Sequence, residues 1–224
     1  MPSESEATLN PSRSPSPGKS SGMVFVWLYL LIAGACLAVS FAGDAEAEKA
    51  GRAASEEIHR VASKISHWMD WPEVLGLPLG IGLILWVRKK PLAARSALSI
   101  ALAAGVAGLA GTVVRTATGR ARPSTTVVQG WYGMQHEGKW IVGQHAFASF
   151  PSGHTSTVAG AAGALWATRR RWAWLGFVAV IVVAWGRIFA VAHHLSDVTA
   201  AAALGLPLGY WTAAKIVRRW QKPD

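Results

Sequence analysis

Two adjacent histidines and an aspartate stand between two long apolar segments, in the stretch VAHHLSD at residues 191–197. A histidine that is paired with a carboxylate can act as a nucleophile or as a base. In a helix, both His193 and His194 come within reach of Asp197, because side chains three and four residues apart lie on one face. In an extended link, only His193 shares a face with Asp197. The spacing therefore favours His193 as the partner of Asp197 but leaves His194 open.

Several arginines lie at the ends of the same apolar segments, where ionisable side chains are costly and are by default functional hypotheses. Guanidinium groups brought to one site repel each other unless an anion lies among them, and their forked donors fit phosphate oxygens. A phosphate group is therefore the expected ligand of this cluster. The arginines concerned are Arg115, Arg120, Arg122 and Arg187.

A second polar stretch, FPSGHTST at residues 150–157, supplies complementary groups. Ser152 offers a hydroxyl, Gly153 lets the backbone approach a ligand closely, and a helix that begins here adds free N–H groups for an anion. His154 can protonate the leaving group of a reaction at the bound phosphate. Ligand spacings such as HExxH are missing from the sequence, which disfavours a metal centre.

The composition of the chain is typical of a polytopic membrane protein. Of its 224 residues 51% are hydrophobic and only 15% are charged, and there are 12 tryptophans. The net charge of +10 comes from short basic clusters between apolar runs, which indicates membrane topology and argues against nucleic-acid binding. The single cysteine, Cys36, lies inside an apolar run, so no internal disulfide is possible.

Six apolar segments approach the length of about 20 residues that a membrane-spanning helix needs. The sequence therefore predicts an all-α fold, a polytopic bundle of six transmembrane helices that forms one domain over residues 23–218. Residues 1–22, rich in Ser and Pro, are predicted to form a disordered cytoplasmic tail. The predicted spans are residues 23–43, 71–87, 93–114, 148–168, 172–191 and 198–216.

Basic clusters follow the second, fourth and sixth spans, at residues 88–90, 169–171 and 215–219. The positive-inside rule places these clusters, and both termini, on the cytoplasmic side of the cell membrane. All the polar stretches described above then fall on the extracytoplasmic side.

Two further segments are expected on that outer side. Residues 44–70 carry apolar side chains at helical spacing, which predicts an amphipathic helix that either lies on the membrane surface or packs on the outer ends of the spans. The loop of residues 124–147 is a candidate for contacts with a lipid headgroup. Its histidines, His136 and His145, are more typical of loop packing than of catalysis, as are its aromatic residues.

Three stretches, in this order, resemble the signature of the type 2 phosphatidic acid phosphatase superfamily, which also includes bacterial acid phosphatases and vanadium haloperoxidases. The motif K-x6-R-P matches from Arg115 to Arg122 and the following proline, with arginine in place of lysine. P-S-G-H is complete at residues 151–154. S-R-x5-H-x3-D matches at Arg187, His193 and Asp197, with glycine in place of serine.

The resemblance implies a role for each matching position. His193 would be the nucleophile that forms a phosphohistidine, Asp197 would orient it, and His154 would protonate the leaving oxygen and then activate water. The remaining positions would hold the phosphoryl oxygens, and they are Arg115, Arg122, Ser152, Gly153 and Arg187.

The resemblance also implies the reaction, which is hydrolysis of a phosphate or diphosphate monoester of a lipid. The substrates considered are undecaprenyl diphosphate, lipid A phosphate, phosphatidylglycerophosphate and phosphatidic acid. No metal and no other cofactor is expected, because the arginines supply the positive charge.

Three alternatives to a lipid phosphatase are considered. They are a lipid phosphotransferase with the same histidine chemistry, a metallohydrolase, and a lipid-binding protein without catalytic activity. The oligomeric state is left open.

Overall fold

The protein is described here by a computed structural model that covers residues 19–220. Within this range eight α-helices and one small β-hairpin are present, and all six predicted apolar segments are helical. Residues 1–18 of the predicted tail lie outside the described residues. The first helix begins at Lys19, whereas the sequence predicted a start at residue 23. The helices are α1 (Lys19–Ala42), α2 (Asp44–Arg52), α3 (Glu56–Trp68), α4 (Trp71–Val87), α5 (Pro91–Thr118), α6 (Gly153–Thr168), α7 (Ala173–Phe189) and α8 (Leu195–Trp220), and the hairpin strands are β1 (Gln135–His136) and β2 (Lys139–Trp140).

The lengths and apolar composition of the helices make the chain a multi-pass membrane protein. Four segments are long and apolar enough to cross a membrane, namely Gly22–Ala42, Pro91–Thr118, Arg170–Phe189 and Leu195–Trp220. The helices α3 and α4 meet at a bend of 48° and together qualify as a fifth span. Helix α6 has only 16 residues, because Ser152 is extended and the helix begins at Gly153 rather than at the expected residue 148.

Small residues let α5, α6 and α8 approach closely in the centre of the bundle. A Cβ atom on Gly209 of α8 would overlap the backbone of Gly160 in α6, and one on Gly163 would overlap the carbonyl of Leu206. A Cβ atom on Gly160 would overlap Ala107 of α5. Such contacts are the usual means of helix association in membranes, where the hydrophobic effect between helices is weak.

The segment that was expected to be one amphipathic helix forms two helices, α2 and α3. Helix α3 begins at a cap, where the Ser55 side chain accepts a hydrogen bond from the N–H of Ile58. Its buried face carries Ala62 and Ser66, and Ile65 lies against Gly186 of α7. Of the two placements that the sequence left open, the structure therefore shows α3 packed on a neighbouring span.

The ends of several helices meet at one end of the bundle and bring the polar stretches together. Helices α5 and α7 end there, and α6 and α8 begin there. Gly119 ends α5 in the left-handed conformation, with φ of 56°, and a Cβ atom at this position would overlap the backbone of Gly133. The chain can therefore fold back over this end as the loop of residues 119–152.

Candidate active site

His193 and His194 face different surroundings in the link between α7 and α8. Nδ1 of His193 lies 3.5 Å from Oδ2 of Asp197, and both side chains are fully buried. The ring of His194 turns away, and its Nε2 lies 3.2 Å from Oε1 of Gln129. His194 reaches Asp197 only with its backbone N–H, which donates to Oδ2 at 2.8 Å. The geometry thus pairs the His193 ring, and not the His194 ring, with the carboxylate.

Asp197 is fixed by further donors on both of its oxygens. Nη1 of Arg120 donates to Oδ1 at 2.6 Å, and Oγ of Ser149 donates to Oδ2 at 2.5 Å. Charge-assisted hydrogen bonds of this length are among the stronger ones in proteins. The carboxylate is therefore held in one orientation, with Oδ2 next to the His193 ring.

Arg120 also reaches a second buried carboxylate that the sequence analysis did not single out. Its Nη2 donates to Oδ2 of Asp44 at 2.7 Å, and Asp44 accepts from the N–H and the hydroxyl of Ser196 at 2.8 and 2.6 Å. The predicted phosphate cluster included Arg120 only as one of several arginines. The only signal for Asp44 is that it directly follows the first apolar segment, on the side of the membrane assigned to the polar stretches.

The stretch from Pro151 to His154 lies against Asp197 and Arg115. The N–H of Ser152 donates to the backbone carbonyl of Asp197 at 3.1 Å. A Cβ atom on Gly153 would overlap the guanidinium group of Arg115, so glycine is the residue that allows this close approach. The start of α6, with its free N–H groups, therefore adjoins one of the predicted phosphate-binding arginines.

The three predicted phosphate-binding arginines form one positive cluster. Burial, followed by the charges of Arg187 and Arg115, lowers the pKa of Arg122 to about 10, while the charge of Asp197 opposes them. Nε of Arg122 donates to the carbonyl of Ala148 at 3.1 Å, whereas the buried Nε of Arg187 has no hydrogen-bond partner among residues 19–220. Guanidinium groups that adjoin one another and keep free donors can hold an anion.

His193 has the protonation state that a nucleophile requires. Burial, together with the charges of Arg187 and Arg122, lowers the pKa of His193 to about 3 despite the nearby carboxylate of Asp197. The ring is therefore neutral at neutral pH and keeps a lone pair for attack. Its buried Nε2 has no hydrogen-bond partner within the described part of the chain.

His154 lies at the start of α6 and pairs with a residue outside the three motifs. Its Nε2 is 3.2 Å from Oδ1 of Asp70, the residue that precedes α4. The pair borders a groove of about 470 Å³ that is lined by Leu75 of α4, Leu109 of α5 and Thr157 of α6, among others. The groove links the ionisable end of the site to apolar surface between these helices.

The loop histidines take part in packing around the site. The rings of His136 and Tyr132 lie 4.4 Å apart in an edge-to-face arrangement. The charge of Arg122 and then burial lower the pKa of His145, which places this side chain near the arginine cluster. Over the described ranges, no group of three or more His, Cys, Asp or Glu side chains has an arrangement that could hold a metal ion.

Two comparisons with known proteins found a match. A family model described as the PAP2 superfamily matches residues 96–221, a range that contains all three motif stretches. The fold is similar to the crystal structure of a transmembrane PAP2-type phosphatidylglycerolphosphate phosphatase from Bacillus subtilis, with a TM-score of 0.61 and 22% sequence identity over 90% of this chain and 98% of that chain. No curated protein matches the sequence.

Proposed function

Since the chain belongs to the PAP2 superfamily, we propose that it is a membrane lipid phosphatase that hydrolyses a phosphate or diphosphate monoester through a phosphohistidine on His193. The observation that carries the proposal is the fully buried His193, whose Nδ1 lies 3.5 Å from Asp197 and whose ring is close enough to Arg122 and Arg187 to be affected by their charges. An imidazole oriented by a carboxylate next to an anion site is suited to attack phosphorus.

In the first proposed step, Nε2 of His193 attacks the phosphorus atom. The bond from phosphorus to the ester oxygen breaks, and that oxygen takes a proton from His154. Arg115, Arg122 and Arg187 stabilise the charge on the phosphoryl oxygens, helped by the Ser152 hydroxyl and the Gly153 N–H. Asp197 stabilises the positive charge that develops on the His193 ring.

In the second step, His154 takes a proton from water and the resulting oxygen attacks the phosphohistidine. The bond between Nε2 and phosphorus breaks, and inorganic phosphate leaves. The enzyme returns to its starting protonation state, with His154 protonated and His193 neutral. The reaction needs no metal ion in this scheme, because the arginines supply the charge.

The substrate is proposed to be a lipid because the groove beside His154 opens between apolar helices. The Bacillus subtilis protein of similar fold is described as a phosphatidylglycerolphosphate phosphatase, so this lipid belongs in the test panel. The panel also includes phosphatidic acid, lipid A phosphate and undecaprenyl diphosphate.

The active site is proposed to lie on the extracytoplasmic side of the membrane. The basic clusters at the ends of α4, α6 and α8 support a cytoplasmic location for the opposite end of the bundle.

The test is phosphate release from this panel by purified protein in detergent with excess chelator. We expect release from at least one lipid, and a loss of about 10³-fold or more in His193→Ala, because the nucleophile is removed. His194→Ala is the matched control and should lose much less, because its ring faces Gln129 instead of the site. Phosphate found on an acceptor lipid would identify a phosphotransferase. No release from any lipid, or full activity in His193→Ala, would refute the proposal.

A further inference from the structure

A second histidine–aspartate pair lies at the site, between His154 and Asp70. Oδ1 of Asp70 is 3.2 Å from Nε2 of His154, and the same oxygen accepts the N–H of Trp71 at 2.7 Å as the cap of α4. The cap fixes the position of the carboxylate, and the pair bridges the start of α4 to the start of α6. None of the three sequence motifs contains Asp70.

The contact determines which nitrogen of His154 can serve the reaction. With Nε2 directed at Asp70, Nδ1 is the ring nitrogen that remains for the leaving oxygen. Burial and the positive charges of Arg187, Arg122 and Arg115 favour the neutral ring, and the negative charge of Asp70 acts against them. Asp70 is therefore the carboxylate at His154 whose charge opposes the arginine cluster and favours a proton on the ring.

The need for this proton differs between two classes of lipid phosphate. When a monoester is cleaved, the leaving group is an alkoxide, which is a poor leaving group unless it is protonated. When a lipid diphosphate is cleaved, the leaving group is a lipid phosphate, and a phosphate monoester is already ionised at neutral pH, with a second pKa of about 6. That leaving group also brings negative charge towards the carboxylate of Asp70, and two like charges that come close together repel each other.

We propose that Asp70 is a positioning residue that holds a proton on His154 and thereby makes lipid phosphate monoesters, with an alcohol as leaving group, preferred over lipid diphosphates. The inference rests on the proposed function, because it assigns the proton donor of that reaction. In the step concerned, the bond between phosphorus and the alcohol oxygen breaks and its electron pair stays on that oxygen. The oxygen takes the proton from Nδ1 of His154 while Nε2 of His193 bonds to phosphorus.

The test compares two substrates in the same detergent, phosphatidic acid as the monoester and an isoprenoid diphosphate. Asp70→Asn removes the charge and keeps a side chain that can cap α4. We expect kcat for the monoester to fall by about 10-fold or more, as for a weakened general acid, and kcat for the diphosphate to change by less than about 3-fold. Asp70→Ser, which also retains a capping oxygen, should behave in the same way. Glu57→Gln, an exposed acid in the first turn of α3, is the matched control and should change neither rate.

The outcomes separate this inference from the proposed function. Equal losses on both substrates in Asp70→Asn and Asp70→Ser would show that Asp70 supports the fold or the phosphate site, and would overturn the inference. A wild-type kcat/KM that is higher for the diphosphate would also overturn it. If the wild type releases phosphate from neither these substrates nor the wider panel, the proposed function itself fails. If the wild type is active and His193→Ala is inactive, a failure of the Asp70 test concerns Asp70 alone.

Discussion

At the scale of single residues, Arg120 divides one guanidinium group between two buried carboxylates. Nη1 contacts Asp197 at 2.6 Å and Nη2 contacts Asp44 at 2.7 Å. Because Asp197 orients the proposed nucleophile, Arg120 acts on the site through Asp197 and not through the phosphate. It also joins the segment after α1 to the start of α8.

Arg120→Gln should destabilise the protein and reduce phosphate release. The substitution leaves Asp44 and Asp197 buried without their shared cation, and breaking a buried ion pair in this way costs about 3–5 kcal/mol of unfolding free energy. Thermal unfolding in detergent measures the loss, and Arg60→Gln, on the exposed surface of α3, is the control that should unfold like the wild type. An Arg120→Gln protein as stable as the wild type would show that the two contacts contribute little.

The site residues that the sequence predicts fall in short motifs, whereas the residues that contact them in the structure do not. His154, His193 and Asp197 could be singled out because their spacing and residue types are informative within a few positions. Asp44, Asp70 and the other supporting residues reach the site from distant segments, and no local pattern distinguishes them from surface polar residues. Spacing favoured His193 over His194 without excluding either, and the resemblance implied His193. Which ring faces Asp197 depends on the backbone of the link, where Val191 has a φ of 52° and His193 donates its N–H to the carbonyl of Arg187.

At the scale of elements, the close packing of α6 on α8 brings the two halves of the site together. The first residues of these helices meet where the Ser152 N–H donates to the Asp197 carbonyl at 3.1 Å. Further along, Gly209 and Gly160 keep the two backbones close. The composition predicted the helices, but this pairing depends on which small residues face each other, which periodicity alone does not determine.

Gly209→Ala should push α8 away from α6, because the new Cβ atom would overlap backbone and not a flexible side chain. Overpacking of this kind costs about 1–3 kcal/mol, and it should lower both the thermal unfolding temperature and the rate of phosphate release. Gly34→Ala in α1 is the matched control, since no atom lies within 4 Å of a Cβ there. Equal unfolding temperatures for the two variants would contradict the role given to this contact.

At the scale of the whole molecule, the motif residues and the basic clusters lie at opposite ends of the bundle. The motif residues gather where α5 and α7 end, whereas the basic clusters lie at the opposite ends of α4, α6 and α8. Composition and the positions of the clusters were enough to predict this division. The lateral order of the helices depends on tertiary contacts such as that of α3 with α7. The sequence did not decide whether the segment that contains α3 packs on the spans or lies on the membrane surface.

The proposed orientation predicts which positions are accessible from outside the cell. In a Cys36→Ala background, Val128→Cys lies in the exposed loop at the site end, and Lys90→Cys lies in a basic cluster at the opposite end. A membrane-impermeant maleimide should label Val128→Cys in intact cells and Lys90→Cys only after lysis, because positive clusters stay in the cytoplasm. The opposite labelling pattern would place the site on the cytoplasmic side.

In the proposed reaction the phosphoryl group passes through His193. The most direct measurement is rapid quenching of the wild-type protein during turnover of its lipid phosphate, followed by mass spectrometry of the peptide that contains residues 191–197. We expect a phosphoryl group on His193, none on His194, and none at either position in His193→Ala. A phosphoryl group on His194 or on another residue, during turnover that releases phosphate, would contradict it.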